Sequence, residues 1–425
     1  MSEKKYLYRL FDDKLQFYLR SVGAVLITGP KFCGKSTTAS RYAKTSIDLT
    51  KSATRDYYIS LAKVSPDHFL NLGEKPMLID EWQVISFIWN DIKASLCESG
   101  AFGQYILTGS VTDNTKAIAP AARHTGTGRI LTLVMRTLSL FESGDSNGAV
   151  SISKLKNGVF TPSQSKKTID DYAFLICRGG WPLSIGQEED VALQQSITFT
   201  EGTINEDFFS LADVPLRKDV GKSRKFLRSY ARHIGSQAGD EEIRADMAEG
   251  IDDETFKKYL LALERLYISD ELEAWNPNLR SKTAIRTKNT RYFVDPSIAT
   301  SVLGVGPSDL FRDMRTFGFL FESLAVRDLK VYCSAIDAHL FHYRDKLGRE
   351  VDAVIQFKDG DWALIEVKMG DFEDIEIAAK KLIDLSKDVL EEKEKPAFLM
   401  IITKDGLAYQ RDDGVFVVPL ACLRE

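Results

Sequence analysis

Residues 29–36 read Gly-Pro-Lys-Phe-Cys-Gly-Lys-Ser, with glycine first and sixth and Lys-Ser at the end. That spacing is the P-loop pattern G-x-x-x-x-G-K-[ST], which suits a polyphosphate. Gly29 and Gly34 allow the turns that aim successive backbone N–H groups inward, and a following helix start adds a partial positive charge. Residues 24–28 are apolar enough for a buried strand, and residues 37–44 begin a polar helix. The candidate contacts are Gly29, Pro30, Lys31, Phe32, Cys33, Gly34, Lys35, Ser36 and Thr37. Lys35 would reach the β and γ phosphates of ATP, and the Ser36 hydroxyl would hold Mg²⁺.

A second stretch supplies acid. Residues 76–81, Pro-Met-Leu-Ile-Asp-Glu, are an apolar run ending in two carboxylates, as a Walker B strand does. Asp80 would join the Mg²⁺ shell, and Glu81 would orient the attacking water. The interval from Lys35 to Asp80 leaves room for a helix, a strand and another helix, as a parallel sheet requires. Residues 105–110 form a further apolar strand. Either Thr108 or Ser110 is placed to sense the γ-phosphate, or the stretch is a plain strand-to-loop junction. Arg129 and Arg123, in a Gly-flanked loop, are candidate arginine fingers. They would act in cis, or in trans within an oligomer, unless they only pair with surface carboxylates.

A third constellation lies near the other end: Glu322, Asp352, Glu366 and Lys368. Strand alternation puts Glu366 and Lys368 on one face. The set resembles the PD-(D/E)xK restriction-endonuclease fold. There, two carboxylates (here Asp352 and Glu366) hold a second divalent cation, a lysine supports the attacking water, and an extra carboxylate such as Glu322 sits on the first helix. Register sets a condition. A two-residue Asp359-Gly360 turn would pair Asp352 with Val367 and send Asp352 to the wrong face, so an odd-length loop or a bulge is required. His339 and His342 lack acidic or Cys partners at ligand spacing and read as structural.

These groups need positioning elements. Residues 6–20 have helical apolar spacing, residues 46–49 read as a short strand, and residues 55–72 as a helix broken at Pro66. Residues 143–167, rich in Ser, Gly, Asn and Lys, read as a linker, and residues 168–209 as a helical lid. Residues 223–275 give three helices with wing strands at 267–274 and 291–294, a winged-helix order. The wing segment 276–291 carries Arg280, Lys282, Arg286, Lys288 and Arg291 and no acid, which suits DNA phosphates without base preference. The third helix opens with Asp252, Asp253 and Glu254, which would repel a duplex, so an inter-domain module or non-specific contact through the wing is favoured over sequence-specific reading. The C-terminal strands read as 338–343, 350–357, 362–369, 397–402 and 414–419, with a helix at 372–392.

Taken together, these motifs, including the Ile-Asp-Glu-Trp-Gln ending at Gln83, Ile-Leu-Thr-Gly-Ser and Thr-Leu-Ser-Leu-Phe-Glu, resemble a known family. It is the prokaryotic AAA-type ATPase family whose C-terminal half is domain of unknown function 4143. Gly179-Gly180-Trp181-Pro182 is similar to that family's Gly-Gly-x-Pro signature, and in related signal-transduction ATPases this implies that Pro182 lies against the adenine.

The expected fold is therefore α/β and multidomain. An AAA-type parallel-sheet ATPase (1–142) leads to a linker and helical lid (143–215), a winged-helix module (216–304) and a nuclease-like domain (305–425). The expected function is Mg²⁺-dependent ATP hydrolysis that controls the C-terminal half. The alternatives are an ATP-regulated DNA endonuclease and a conformational switch for a protein partner. With 425 residues and a net charge of −5, the chain is no polycation coating nucleic acid. Five scattered cysteines without C-x-x-C argue against a zinc site. A polar N-terminus and the lack of an 18-residue apolar run point to the cytoplasm and away from a membrane.

Overall fold

The computed structural model describes residues 6–109, 128–203, 208, 220–247, 251–277, 287–345, 347–389 and 395–425. Ser110 and Arg123, and wing residues Arg280, Lys282 and Arg286, lie outside these.

Chain order in the first unit is α1 (Leu10–Leu19), β1 (Ala24–Thr28), α2 (Lys35–Tyr42), β2 (Thr45–Asp48), α3 (Ser52–Val64), α4 (Pro66–Leu70), β3 (Met77–Asp80), α5 (Trp89–Ser99), β4 (Tyr105–Thr108) and β5 (Ile130–Val134). The strands form one parallel sheet in the order β2-β3-β4-β1-β5. The three central strands, β3, β4 and β1, are buried on both faces and apolar up to their polar carboxyl ends, whereas edge strand β2 carries Thr45, Ser46 and Asp48. Along β3, Met77 and Ile79 join the cluster holding Ile92 and Leu96 of α5, while Leu78 joins the one holding Phe11 and Leu15 of α1. β4 separates β1 from β3, so Thr108 ends between the P-loop and Asp80.

Next come α6 (Leu140–Ser143), β6 (Val150–Ser151), α7 (Ile152–Lys156), β7 (Ser163–Ser165), α8 (Ile169–Arg178) and α9 (Glu189–Gly202). The middle module holds α10 (Val220–Arg232), α11 (Asp240–Ala245) and α12 (Asp253–Arg265). Asp252 caps α12 by accepting from Thr255 N at 2.8 Å. Asp253 instead pairs with Arg244 and Lys257, and Glu254 with Lys258. The expected wing strands are only isolated antiparallel bridges, Ser269 to Phe293 and Leu272 to Thr290. Arg291 is not free for phosphate: it is buried, pairs with Asp240 and Glu271, and donates to the Ala238 carbonyl.

Helices α13 (Pro296–Leu303), α14 (Pro307–Leu310) and α15 (Met314–Ala335) lead to β8 (His339–Arg344), β9 (Glu350–Gln356), β10 (Trp362–Lys368), α16 (Phe372–Val389), β11 (Phe398–Thr403), β12 (Gly406–Gln410), β13 (Phe416–Pro419) and β14 (Leu423–Arg424). The large sheet runs β7-β12-β13-β11-β10-β9-β8 and is mixed: β10, β11 and β13 are parallel, the others antiparallel. The middle module adds to its edge, with Ala274 bridging His342 and Trp275 stacking on Trp362.

Residues 143–167 are therefore not a linker. β7 extends the C-terminal sheet beside β12, and β6 pairs with β14. Strands of two and three residues are too short to show a period of two, and partners far along the chain supply their hydrogen bonds.

Candidate functional site

The P-loop turns where its composition allows. Gly29 and Gly34 have φ of 144° and 103°, and Phe32, at φ 60°, shares the left-handed region. A Cβ on Gly29 would lie 2.1 Å from the Met135 carbonyl oxygen, so no other residue fits there. Lys35 Nζ donates to the carbonyls of Gly29 at 2.9 Å and Pro30 at 2.7 Å. The Ser36 hydroxyl donates to Asp80 Oδ1 at 2.8 Å, and the Thr108 hydroxyl bonds to the same oxygen. A hydroxyl and a carboxylate converging beneath a glycine-rich loop form an oxygen donor set that fits Mg²⁺.

Glu81 follows at φ 57°, a sharp turn off the strand end. Its carboxylate accepts from the Gln83 amide. Burial first, then the Asp80 charge, pushes the Glu81 carboxyl above its ordinary range, against Gln83, Lys35 and Lys31. Gln83 itself is buried, and its Oε1 has no partner among the described residues. Its visible signal was the Gln two positions after the Asp-Glu pair.

Arg129 does not reach this site in its own chain. Ile130 pairs with Ala24, so Arg129 lies at the start of β5, and its Nη1 bonds the Leu96 carbonyl at 2.9 Å. The P-loop leaves the opposite end of β1, about five residues or ~16 Å along the sheet. A parallel strand offers its carboxyl end to this site, so a residue before β5 is on the far edge.

The Gly-Gly-Trp-Pro turn packs against the P-loop. Pro182 Cγ is 3.6 Å from where a Gly34 Cβ would be. The two glycines answer to packing: a Cβ on Gly179 would meet Ser297 Oγ at 2.4 Å, and one on Gly180 the Leu138 carbonyl oxygen at 2.1 Å. Beside this turn a cleft of about 260 Å³ is lined by Lys31, Phe32, Trp181, Leu183, Gln195 and Phe199.

In the C-terminal sheet the register condition is met. Ile365 lies opposite Ala353, which carries Glu366 to the position across from Asp352. Phe357 N donates to the Asp361 carbonyl at 2.8 Å, so residues 358–360 form a three-residue loop with Gly360 at φ 96°. The carboxylates, however, meet lysines. Glu366, fully buried, pairs with Lys368 at 2.9 Å and with Lys381 of α16 at 2.7 Å. Asp352 accepts from Val367 N at 2.7 Å and lies 3.9 Å from Lys368 Nζ. Glu322 accepts from the Tyr292 hydroxyl. Burial, then the Glu366 charge, pushes Asp352 up to about 6. Burial and the Asp352 charge push Glu322 well above the carboxylate range. Burial disfavours the Lys368 ammonium, yet Asp352 and Glu366 outweigh it and raise its pKa. Among the described residues no three His, Cys, Asp or Glu side chains are placed to hold a metal ion. Asp352 and Glu366, the pair expected to hold a second cation, are engaged by Lys368 and Lys381 in this structure. Lys381 and Tyr292 escaped sequence reasoning because a helix and the middle module bring them in.

Comparison with known proteins gives three family models along the chain. Residues 21–143 match the family model of an AAA domain, and residues 317–423 that of domain of unknown function 4143. Residues 169–309 match a separate model, domain of unknown function 8612, across the expected lid and middle module. No curated protein matches the chain. Among solved structures, the Walker-type ATPase of Pyrococcus abyssi is similar at 15% identity, covering 71% of this chain and 97% of that one, TM-score 0.41. The Aeropyrum pernix ORC2 protein in ADPNP-ADP complexes is similar at 12% identity, covering 74% and 97%, TM-score 0.33. Cdc6p of Pyrobaculum aerophilum is similar at 12% identity, covering 71% and 97%, TM-score 0.25. The chain thus combines a parallel-sheet P-loop ATPase-like fold with a mixed-sheet C-terminal domain. Among the described residues no helix is long and apolar enough to cross a membrane.

Proposed function

We propose that this protein is an AAA-type ATPase that binds MgATP and hydrolyses it, its nucleotide state controlling the middle module and the C-terminal domain. One observation carries the reading: Ser36 and Asp80 converge at 2.8 Å below the P-loop, with Glu81 beside them. Mg²⁺, when bound, neutralises developing phosphate charge. Lys35 binds the β and γ phosphates, Thr108 orients Asp80, and Glu81 takes up the attacking water. The base lies against Pro182, a reading supported by its packing on Gly34. ATP hydrolysis with Mg²⁺ tests it. Lys35→Ala should abolish nucleotide binding, and Glu81→Gln should retain binding with turnover lost. Undiminished ATP affinity in Lys35→Ala would overturn the assignment.

A second reading is favoured by the three-residue hairpin that brings Asp352 across from Glu366. It makes the C-terminal domain a metal-dependent DNA nuclease gated by ATP, with Glu322 and Lys368 completing the set. Cleavage would first require Lys381 to leave Glu366. Supercoiled DNA with Mn²⁺, with and without ATP, beside Glu366→Ala, tests it. Without any cleavage, the output is a switch acting on a protein partner.

A further inference from the structure

Arg9 is none of the nucleotide contacts above, yet it is bonded to the P-loop. Its side chain is 4% exposed and spends three donors on three oxygens. Nε pairs with Glu142 Oε1 at 3.0 Å, Nη1 donates to the Cys33 carbonyl at 2.9 Å, and Nη2 donates to the Arg136 carbonyl at 2.8 Å. Glu142 is fixed in turn. Its Oε1 accepts from Leu10 N at 2.9 Å, and its Oε2 from Ser139 N at 2.8 Å and Ser139 Oγ at 3.0 Å. The guanidinium is therefore held in place from both ends of the first unit.

Cys33 sits inside the P-loop, one residue before Gly34. The peptide between them is planar and trans, so the Gly34 N–H points opposite to the Cys33 carbonyl. Arg9 Nη1 lies 3.7 Å from where a Gly34 Cβ would be. Pulling the carbonyl toward Arg9 turns the Gly34 N–H away from it. The other acceptor, the Arg136 carbonyl, follows Met135, the residue whose carbonyl Gly29 abuts. One guanidinium thus joins the loop to the wall behind it. Only arginine offers three donors at fixed angles; a lysine ammonium cannot span these acceptors.

We propose that Arg9 is a positioning residue for polyphosphate binding: by holding the Cys33 carbonyl it presets the Gly34 N–H toward the phosphates. This rests on the reading of residues 29–36 as the nucleotide site. Because the phosphate facing that N–H is common to ADP and ATP, both affinities should depend on Arg9 equally.

The test is titration of the full chain with fluorescent ADP and ATP analogues plus Mg²⁺, together with thermal unfolding of the unliganded protein. Arg9→Ala is expected to weaken both nucleotides by the same factor, about tenfold or more, the size of one charged hydrogen bond. Arg9→Lys keeps the charge against Glu142 but not the bonds to the Cys33 and Arg136 carbonyls, so it should lose as much affinity as Arg9→Ala while losing less melting temperature, an uncoupling that a purely structural Arg9 would not give. It also carries the test should Arg9→Ala fail to fold. Wild-type affinity in Arg9→Lys overturns the inference and leaves the nucleotide site standing. A wild-type protein that binds neither analogue overturns the site reading as well.

Discussion

Asp270 is the point at which three parts of the chain exchange charge. Arg136, just after β5, approaches it with two nitrogens at 2.6 and 3.1 Å. Lys330 of α15 reaches its carboxylate at 2.8 Å and also donates to the Glu271 carbonyl at 2.9 Å. Side-chain exposures of 20% for Arg136, 19% for Asp270 and 7% for Lys330 leave little water to screen the set. Burial opposes the Asp270 charge, but the two cations outweigh it and hold the carboxyl well below the usual range. Asp270→Asn strands both cations, a loss of about 3–5 kcal/mol for a buried pair. With a urea slope of about 2–3 kcal/mol per molar, the midpoint should fall by about 1 M or more. Circular dichroism through a urea series measures it. Arg136→Met combined with Asp270→Asn should cost clearly less than the sum of the single changes, because the second removes a charge already unpaired. A loss below about 1 kcal/mol, or strict additivity, would refute the view that this carboxylate ties the ATPase sheet to α15.

Gln83→Ala should lower kcat for ATP hydrolysis about tenfold or more with KM nearly unchanged, because it releases Glu81 without touching the phosphates; an unchanged kcat would remove Gln83 from that role. Lys381→Met leaves buried Glu366 with Lys368 alone and should cost about 2–4 kcal/mol of stability, read as a lower urea midpoint. A wild-type midpoint would show that Lys381 adds nothing to the cluster. His342, buried between Gln237 and the Lys288 carbonyl, is pulled down to about 4, first by burial. Its folded state therefore takes up a proton later than its unfolded state. Its contribution is whole above about 6.5 and is lost as pH falls toward 4, by at most about 3 kcal/mol. His342→Gln should lose less stability than the wild type between pH 7 and pH 4.5, and identical pH profiles would refute this.

The residues proposed to bind phosphate were legible because the chemistry is local. Eight contiguous residues supply the loop, and an apolar run ending in Asp80 and Glu81 marks a strand whose carboxyl end faces it. Helical periodicity likewise located α1 and α3 to within a few residues at most ends, and Asp252 marked the start of α12. Edge strands β6 and β7 were missed because their partners lie at the far end of the chain.

Side-chain spacing alone could state the hairpin condition for Asp352 and Glu366 but not resolve it. Whether Lys358 belongs to strand or loop depends on which backbone groups pair. Arg129 shows the same limit: its loop looked fit for a nucleotide, and only the direction of β5 beside β1 put it at the wrong edge. Arg9, Tyr292 and Lys381 carry no motif, since each acts through a partner chosen by packing. By itself the sequence determined the class of chemistry, because building a phosphate cradle needs particular residues at particular steps along one backbone. The tertiary structure alone decided which charges meet, because electrostatic contact depends on distance through space, and the chain reaches those distances only by folding.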